Sequence, residues 1–289
     1  MDTRLLRRVL GFARPYRGVF AVTMFLIVAL AIVSPIRPWL IQYTYDNHIA
    51  RPDPHGLLNM TLLMVGMLIL EALLTYYYTY AANWLGQSVI RDIRLRLFSH
   101  IAHLRLRYYD QTPIGTLVTR VISDIETIAD IFSDGLLVIF GDILKLVAVV
   151  GFMFWVDVRL TLISLSTIPV LLLATWVFKN GIRSSFQDVR TSVARLNAFL
   201  QEHITGMQIV QLFDREEEEL SRFTEINAQH RDANIRSVWY FSIFLPVVEV
   251  LSSISIGLVV MWGGRQVTGA DLNLGHLVAF ILYIHMMFR

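Results

Sequence analysis

The chain has 289 residues, of which 55% are hydrophobic and 17% charged; an ordinary soluble domain averages roughly 45–50% apolar and about 25% charged. Its 25 Lys and Arg against 23 Asp and Glu leave a net charge of +2, and acids and bases share the same loops, so no basic stripe marks a nucleic-acid partner. With no cysteine in the sequence, disulfides, thiolate metal sites and cysteine nucleophiles are excluded.

Arg4, Arg7, Arg8, Arg14 and Arg17 precede an apolar run from Val19 to Val33. Charge before apolarity is also the order of a signal peptide. However, no small-x-small cleavage site closes the run, and Ser34-Pro35-Ile36-Arg37-Pro38 follows; a retained first span is expected. Crossing a hydrocarbon core of roughly 30 Å takes about 20 mostly apolar residues. The segments that qualify are 19–41, 57–85, 135–156, 159–178, 238–262 and 274–289. The fold class expected is an all-α membrane protein with six transmembrane helices, the sixth truncated at Arg289 as in a fragment.

Bases set the orientation. Five Lys and Arg precede the first span, six lie between spans two and three, and eight between spans four and five, whereas the opposite loops are short and carry few. That bias places the N-terminus in the cytoplasm of a multi-pass protein of the cell membrane.

The helical pattern runs on past the bilayer. No proline occurs from Leu57 to Arg107, and Ile90, Ile93, Leu97, Ile101 and Leu104 recur at the spacing of one helical face. About fifty residues make roughly 75 Å of helix, so more than half stands in the cytosol as an amphipathic rod. After Gly181, Leu196, Phe199, Leu200, Ile204, Met207 and Val210 mark a second such stripe, and the stripes are expected to pack the extensions against one another.

The rods break at their tips. Tyr108-Tyr109-Asp110-Gln111-Thr112-Pro113-Ile114-Gly115 carries Pro113 and Gly115 as breakers, and Asp110 or Thr112 offers a cap to a following short helix. The second tip reads Phe213-Asp214-Arg215, then Glu216 to Glu219. That acidic run suits either the positive end of a new helix or a solvated face, the latter being the expectation.

At these tips the residues resemble a known family. Tyr109-Asp110, Gly115, Leu117, Thr119-Arg120 and Asp124 resemble the first intracellular loop of ABC exporters. Asn197, Glu202, Gly206, Val210, Phe213, Glu216, Phe223 and Asn227 resemble the second. Arg14-Pro15-Tyr16 is similar to the interfacial elbow helix, here 1–18, and Gly263-Gly264, Gly269 and Leu274 to Phe280 to the start of the sixth helix. His276 departs from the Asp or Glu more often found there.

The resemblance implies a transmembrane domain over 19–289 that pairs with a second, identical or homologous one and exchanges helices four and five with it. It further implies two short coupling helices seated in nucleotide-binding domains. Their residues would be Tyr109, Asp110, Gly115, Leu117, Arg120 and Asp124 in the first loop, and Gly206, Phe213, Asp214, Arg215 and Glu216 in the second. A lipid, peptide or other amphiphilic substrate would cross by alternating access. ATP and magnesium belong to the nucleotide-binding domains, because neither Lys145 nor Lys179 sits in Gly-x-x-x-x-Gly-Lys-Ser/Thr. An ATPase domain is expected downstream or on a separate chain; this chain binds no cofactor and has no catalytic residue of its own.

Ionisable groups within spans face a cavity or a partner: here Glu71, Asp142, Lys145 and Glu249, with Arg37 near the end of the first span. Asp142 and Lys145, three apart, are expected to pair along one helix. Glu71 and Glu249 lack a local partner and are the better candidates for the substrate pathway, although hydrogen bonding between helices serves equally. Tyr76, Tyr77, Tyr78, Tyr80 and Trp84 suit interfacial anchors, and Pro35, Pro38, Pro169 and Pro246 are candidate kinks. Two other functions fit six spans. An ion channel lacks support from an arginine ladder or a Thr-Val-Gly-Tyr-Gly filter. A membrane enzyme or metal site lacks a His-Glu-x-x-His pattern, and His100 and His103 are expected to be solvated.

Overall fold

A computed structural model describes residues 11–50, 53–126, 135, 137–268 and 273–288. Arg4, Arg7 and Arg8 of the expected elbow, Gly269 and Arg289 lie outside the described residues. Among those residues every regular element is helical. In hydrocarbon a backbone finds no water, so helices, which bond every peptide group internally, are one of two structures able to span it.

A 3-10 turn at Arg14–Tyr16 leads into α1 (Arg17–Val33) and α2 (Ile36–Thr44), closed by a π turn at Tyr45–Ile49. The break between α1 and α2 falls at Ser34-Pro35, where proline has no N–H to continue the ladder. Helix α3 (Pro54–Ala102) follows, then α4 (Leu106–Gln111), α5 (Ile114–Thr119) and a π turn at Arg120–Asp124. The remaining helices are α6 (Leu137–Val156), α7 (Val158–Leu165), α8 (Ile168–Thr205), α9 (Met207–Leu212), α10 (Glu216–Thr268) and α11 (Leu274–Phe288).

Five continuous stretches are long and apolar enough to cross a membrane: Arg14–Ile49, Pro54–Ala102, Leu137–Val156, Val158–Thr205 and Glu216–Gln266; α11 is a shorter apolar helix of 15 residues. Pro169 sits in the first turn of α8, where its missing N–H costs nothing. Pro246 lies inside α10 without ending it.

The rods follow expectation with changes at their ends. Helix α3 has 49 residues, about 74 Å. Asp53 caps its start by accepting from the Gly56 N–H at 3.1 Å, with Pro54 at the first helical position. It ends at Ala102, short of the expected Arg107. The last turn tightens there: His103 and Leu104 donate three residues back to His100 and Ile101, and His103 Nδ1 reaches the Ser99 carbonyl at 2.7 Å.

The chain divides into two compact units, Met1–Val158 with Gly264–Met287, and Arg159–Gly263 with the last two residues. In the first unit, Ala13, Ile27, Ala82, Leu85, Val89 and Leu137 form a buried cluster that draws in Tyr16, Phe20 and Tyr78. The α3 stripe is covered farther along, where Ile93 and Leu97 pack on buried Ile90 and Ile125. Helix α11 is held to the α1–α2 arm by the buried Tyr283 hydroxyl, which donates to the Pro35 carbonyl at 3.0 Å.

In the second unit α7 and α8 run antiparallel to α10 along one seam. Ser255 Oγ donates to the Ser164 carbonyl at 3.3 Å, Phe178 stacks on Phe244 at 4.1 Å, and Arg236 pairs with Asp188 at 3.5 Å. Farther out, Arg195 donates to Gln229 at 3.3 Å and Phe199 meets Phe223 at 5.8 Å. Each step up one helix is a step down the other.

Gly181 allows the closest approach in that seam, since a Cβ there would lie 2.3 Å from the Tyr240 ring. Gly181→Val is expected to destabilise the domain by about 1–3 kcal/mol through overpacking, and Tyr240→Ala in the same chain to recover part of the loss. Thermal unfolding in lipid nanodiscs checks both.

Candidate coupling tips and membrane-pathway residues

The first tip is built on tyrosines. The Tyr109 hydroxyl donates to the Ile101 carbonyl, which the Leu104 N–H also reaches at 3.0 Å, and this folds α4 back on the rod. The Tyr108 ring lies edge-on to Tyr109 at 6.1 Å and its hydroxyl accepts from Arg120 at 3.4 Å. Leu117 is buried and anchors α5, whereas Asp110, Gly115 and Asp124 face outward. Two expectations are corrected here. Gly115 is not a breaker: it lies inside α5, and a Cβ on it would meet nothing within 4 Å. Neither Asp110 nor Thr112 caps α5, because Pro113 occupies the cap position in extended conformation and has no side-chain acceptor.

The second tip has a different construction. Gly206 both ends α8 and opens α9, with its N–H on the Glu202 carbonyl at 2.9 Å. Helix α9 then closes in a Schellman motif: Arg215 N–H reaches the Val210 carbonyl at 3.1 Å and Asp214 N–H the Gln211 carbonyl at 3.3 Å. Asp214 takes φ 53°, the left-handed position that a short polar side chain tolerates. Phe213, in the cap position, is left exposed.

Glu216, Glu217 and Glu218 of the acidic run are exposed, as expected of a solvated face, and the run also occupies a helix start. Glu216 to Glu219 make up the first turn of α10, where the helix dipole favours negative charge. Bases also gather on two of them: Glu218 takes Arg215 and Arg222, and Glu219 takes Arg222 at 2.9 Å. Glu216 is exposed and makes no ion pair among the described residues. Glu219 also receives His203 Nε2 from the end of α8 at 2.8 Å, while His203 Nδ1 bonds the Phe199 carbonyl at 2.8 Å.

The pathway residues are only partly brought together. Glu71 has a partner on another helix, the alternative left open: Arg37 of α2 lies 3.7 Å away, a pairing 34 residues apart that no local spacing announces. The expected Asp142–Lys145 pair does not form. Asp142 is exposed and Lys145 half-buried on α6, so the two side chains take different surroundings. Glu249 is exposed on α10, in the other unit, and makes no ion pair among the described residues.

A cluster invisible to local patterns lies where the first span meets the rod. Tyr16 donates to Asp92 at 2.8 Å, accepts from Arg91 at 3.0 Å and sets its ring edge-on to Trp84 at 5.6 Å. The hydrogen bond from Tyr16, then those from Arg91, hold the Asp92 carboxyl below its usual range. Tyr76, Tyr77, Tyr80 and Trp84 are exposed, as anchors require. The tips also present apolar side chains, Phe213 of the expected coupling residues at 68% exposed and three not singled out from the sequence: Leu106 is 82% exposed, Leu212 77% and Ile114 74%. Large apolar residues between two helix breaks, in otherwise polar surroundings, were the available signal.

The Phe199 carbonyl, and after it Glu219, raises the His203 pKa above the ordinary 6.5. A raised value means the staple between α8 and α10 is fully present below pH 6.5 and is lost as pH climbs through the folded-state pKa. Glu219→Gln is expected to move the His203 titration downward by NMR and to remove the pH dependence of proteolysis at the second tip.

The sequence pattern of the ABC transporter transmembrane region matches residues 20–289. A putative multidrug export ATP-binding/permease protein of Bacillus subtilis is 30% identical over 99% of this chain and 50% of its own length. An ATP-dependent lipid A-core flippase of Nitrosococcus oceani is 27% identical over 95% of this chain and 46% of its own. An uncharacterized ABC transporter ATP-binding protein of Bacillus subtilis is 28% identical, over 98% and 47% respectively. The chain thus spans about half the length of the curated relatives it matches. Helices of membrane length and a match over residues 20–289 agree: the chain belongs to the ABC transporter transmembrane region family.

Proposed function

We propose that this domain forms the translocation pathway of an ATP-driven exporter and that its two tips receive the motion of nucleotide-binding domains. The observation that carries the reading is the apolar surface at the tips. Leu106, Ile114, Leu212 and Phe213 stand exposed at the ends of the rods, and an exposed apolar patch rimmed by polar groups marks a protein contact. Asp110 and Glu216, exposed beside them, supply charge at the rim. Tyr109 and the Schellman turn after α9 fix each tip to its rod, so a push on α4 or α9 is delivered to the helix behind it.

ATP and magnesium would be held by the nucleotide-binding domains. In this chain only Lys145 and Lys179 are lysines, and neither follows the glycines of a phosphate loop. The bases gathered in the loops that carry the tips support a cytoplasmic setting for the tips and the N-terminus of a cell-membrane protein. A second copy or a homologue would cover the span faces that carry Asp142 and Glu249. Substrates would be amphiphiles; relatives named for multidrug export and for lipid A-core flipping support that class.

The test uses the transporter containing this domain together with its nucleotide-binding domains, in proteoliposomes. Leu212→Asp and Phe213→Asp are each expected to lower substrate-stimulated ATPase and export by about tenfold or more, the loss typical of a buried apolar anchor at an interface. Glu216→Gln is expected to act in the same direction with smaller effect. ATPase and export both unchanged in the Asp variants sinks the reading.

A further inference from the structure

The first unit holds a polar cavity of about 610 Å³ near the start of α3, at the opposite end of that helix from the coupling tip. Trp39, Gln42 and Tyr43 of α2 and Asp46 of the following π turn form one wall; Asn273 and His276, at the start of α11, form the other. Trp39 and Tyr43 present their rings together, with centroids 5.9 Å apart.

The polar atoms in this cavity are unevenly satisfied. Asp46 Oδ1 accepts from the Gly275 N–H at 3.2 Å. Its Oδ2 lies 3.9 Å from His276 Nδ1, beyond hydrogen-bond length. His276 Nδ1 is buried without a hydrogen-bond partner among the described residues, and so is Oε1 of Gln42, a side chain only 9% exposed. Buried polar atoms without partners are rare and call for an explanation.

These features select a ligand class. Among the described residues the only full charge on the walls is the Asp46 carboxylate, and the free atoms include the Gln42 oxygen and, in the neutral imidazole protonated at Nε2, the His276 Nδ1 lone pair. The aromatic faces favour a cation. Two acceptors 3.9 Å apart are spanned by two N–H bonds of about 2.8 Å from one nitrogen, which an ammonium group supplies with a third donor to spare for Gln42.

We propose that this cavity is a binding site for a small primary ammonium ligand, held by Asp46, Gln42 and neutral His276. The site stands on its own geometry and does not depend on the coupling role of the tips.

Protonation of His276 opposes binding, because an imidazolium beside Asp46 takes the place of the ligand's charge. The other titratable groups on the walls are Tyr43 and Tyr45. Of the charged groups on the neighbouring segments, His48 is paired with Asp53 at 3.2 Å and meets Tyr43 edge-on, and Arg37 is paired with Glu71. None of these is free to replace the ligand.

The full chain in nanodiscs is titrated calorimetrically with n-butylammonium, n-butanol and tetramethylammonium. Saturable binding of n-butylammonium is expected, with the other two about tenfold weaker or worse, since one lacks charge and the other lacks N–H donors. Asp46→Asn keeps an acceptor for the Gly275 N–H and removes only the charge; it should weaken n-butylammonium by about tenfold at an unchanged unfolding midpoint. If that variant unfolds, Gln42→Met, which keeps the volume and loses the acceptor, serves instead and should also weaken binding. His276→Leu, which removes the Nδ1 acceptor, should also weaken n-butylammonium severalfold. Equal binding of n-butanol or tetramethylammonium, or an unaffected Asp46→Asn variant, overturns the proposal.

Discussion

A helix that leaves the bilayer unbroken carries an apolar stripe into water, and the tips depend on what covers it. Backbone bonding makes the rod continuous, but a rod about 74 Å long keeps its direction only where another helix lies along it. In the second unit that cover is the antiparallel seam between α8 and α10, from Ser164 against Ser255 in the membrane part to His203 against Glu219 at the far end. The contacts change character on the way. Serine hydroxyl to carbonyl and stacked phenylalanines give way to Arg236–Asp188, Arg195–Gln229 and the imidazole–carboxylate staple. Ion pairs standing in water contribute little each, so the aromatic contacts Phe178–Phe244 and Phe199–Phe223 hold the seam while the polar pairs set its register.

The two tips solve one problem with different chemistry. Each must turn the chain sharply without leaving helix-end groups unbonded. At the first, a side chain does it: Tyr109 reaches back to the Ile101 carbonyl of α3, and Pro113 separates the two short helices. At the second, the backbone does it: Gly206 joins α8 to α9, and Asp214 in the left-handed region closes the Schellman turn. The acidic first turn of α10 then sits on its positive end with Arg215 and Arg222 against it. Both turns leave apolar side chains pointing out, which a structure serving only itself would have buried.

Local order was legible in the sequence and long-range pairing was not. Apolar runs gave the spans, and three-and-four spacing gave the α3 stripe, because both are properties of neighbours along one helix. The stripe after Gly181 shows the limit: Phe199 finds Phe223, yet Ile204 and Met207 stay exposed near the tip. Spacing tells which residues share a face and is silent on how far the partner helix extends. For the same reason Asp142 and Lys145, well spaced for a pair, do not make one, while Glu71 and Arg37, on different helices, do. Tyr16 and Asp92 are 76 residues apart, and no pattern in either segment carries the other's position.

The unpaired charges in the spans carry the last step. A carboxylate or ammonium at the centre of a membrane helix costs about 2.5–3.5 kcal/mol by insertion measurements, and a surface ion pair returns about 1 kcal/mol at most. Arg37–Glu71 at 3.7 Å therefore offsets part of its own cost. Asp142 and Glu249 have no such offset within the described chain, and both are exposed. Three ways of lowering the cost exist: water in a cavity, a charge on another subunit, or protonation of the carboxyl. The first two each require that the surface bearing the residue not be lipid. In the proposed function two surfaces are of that kind, the pathway and the face against a second domain, and either would relieve Asp142 on α6 and Glu249 on α10 of lipid.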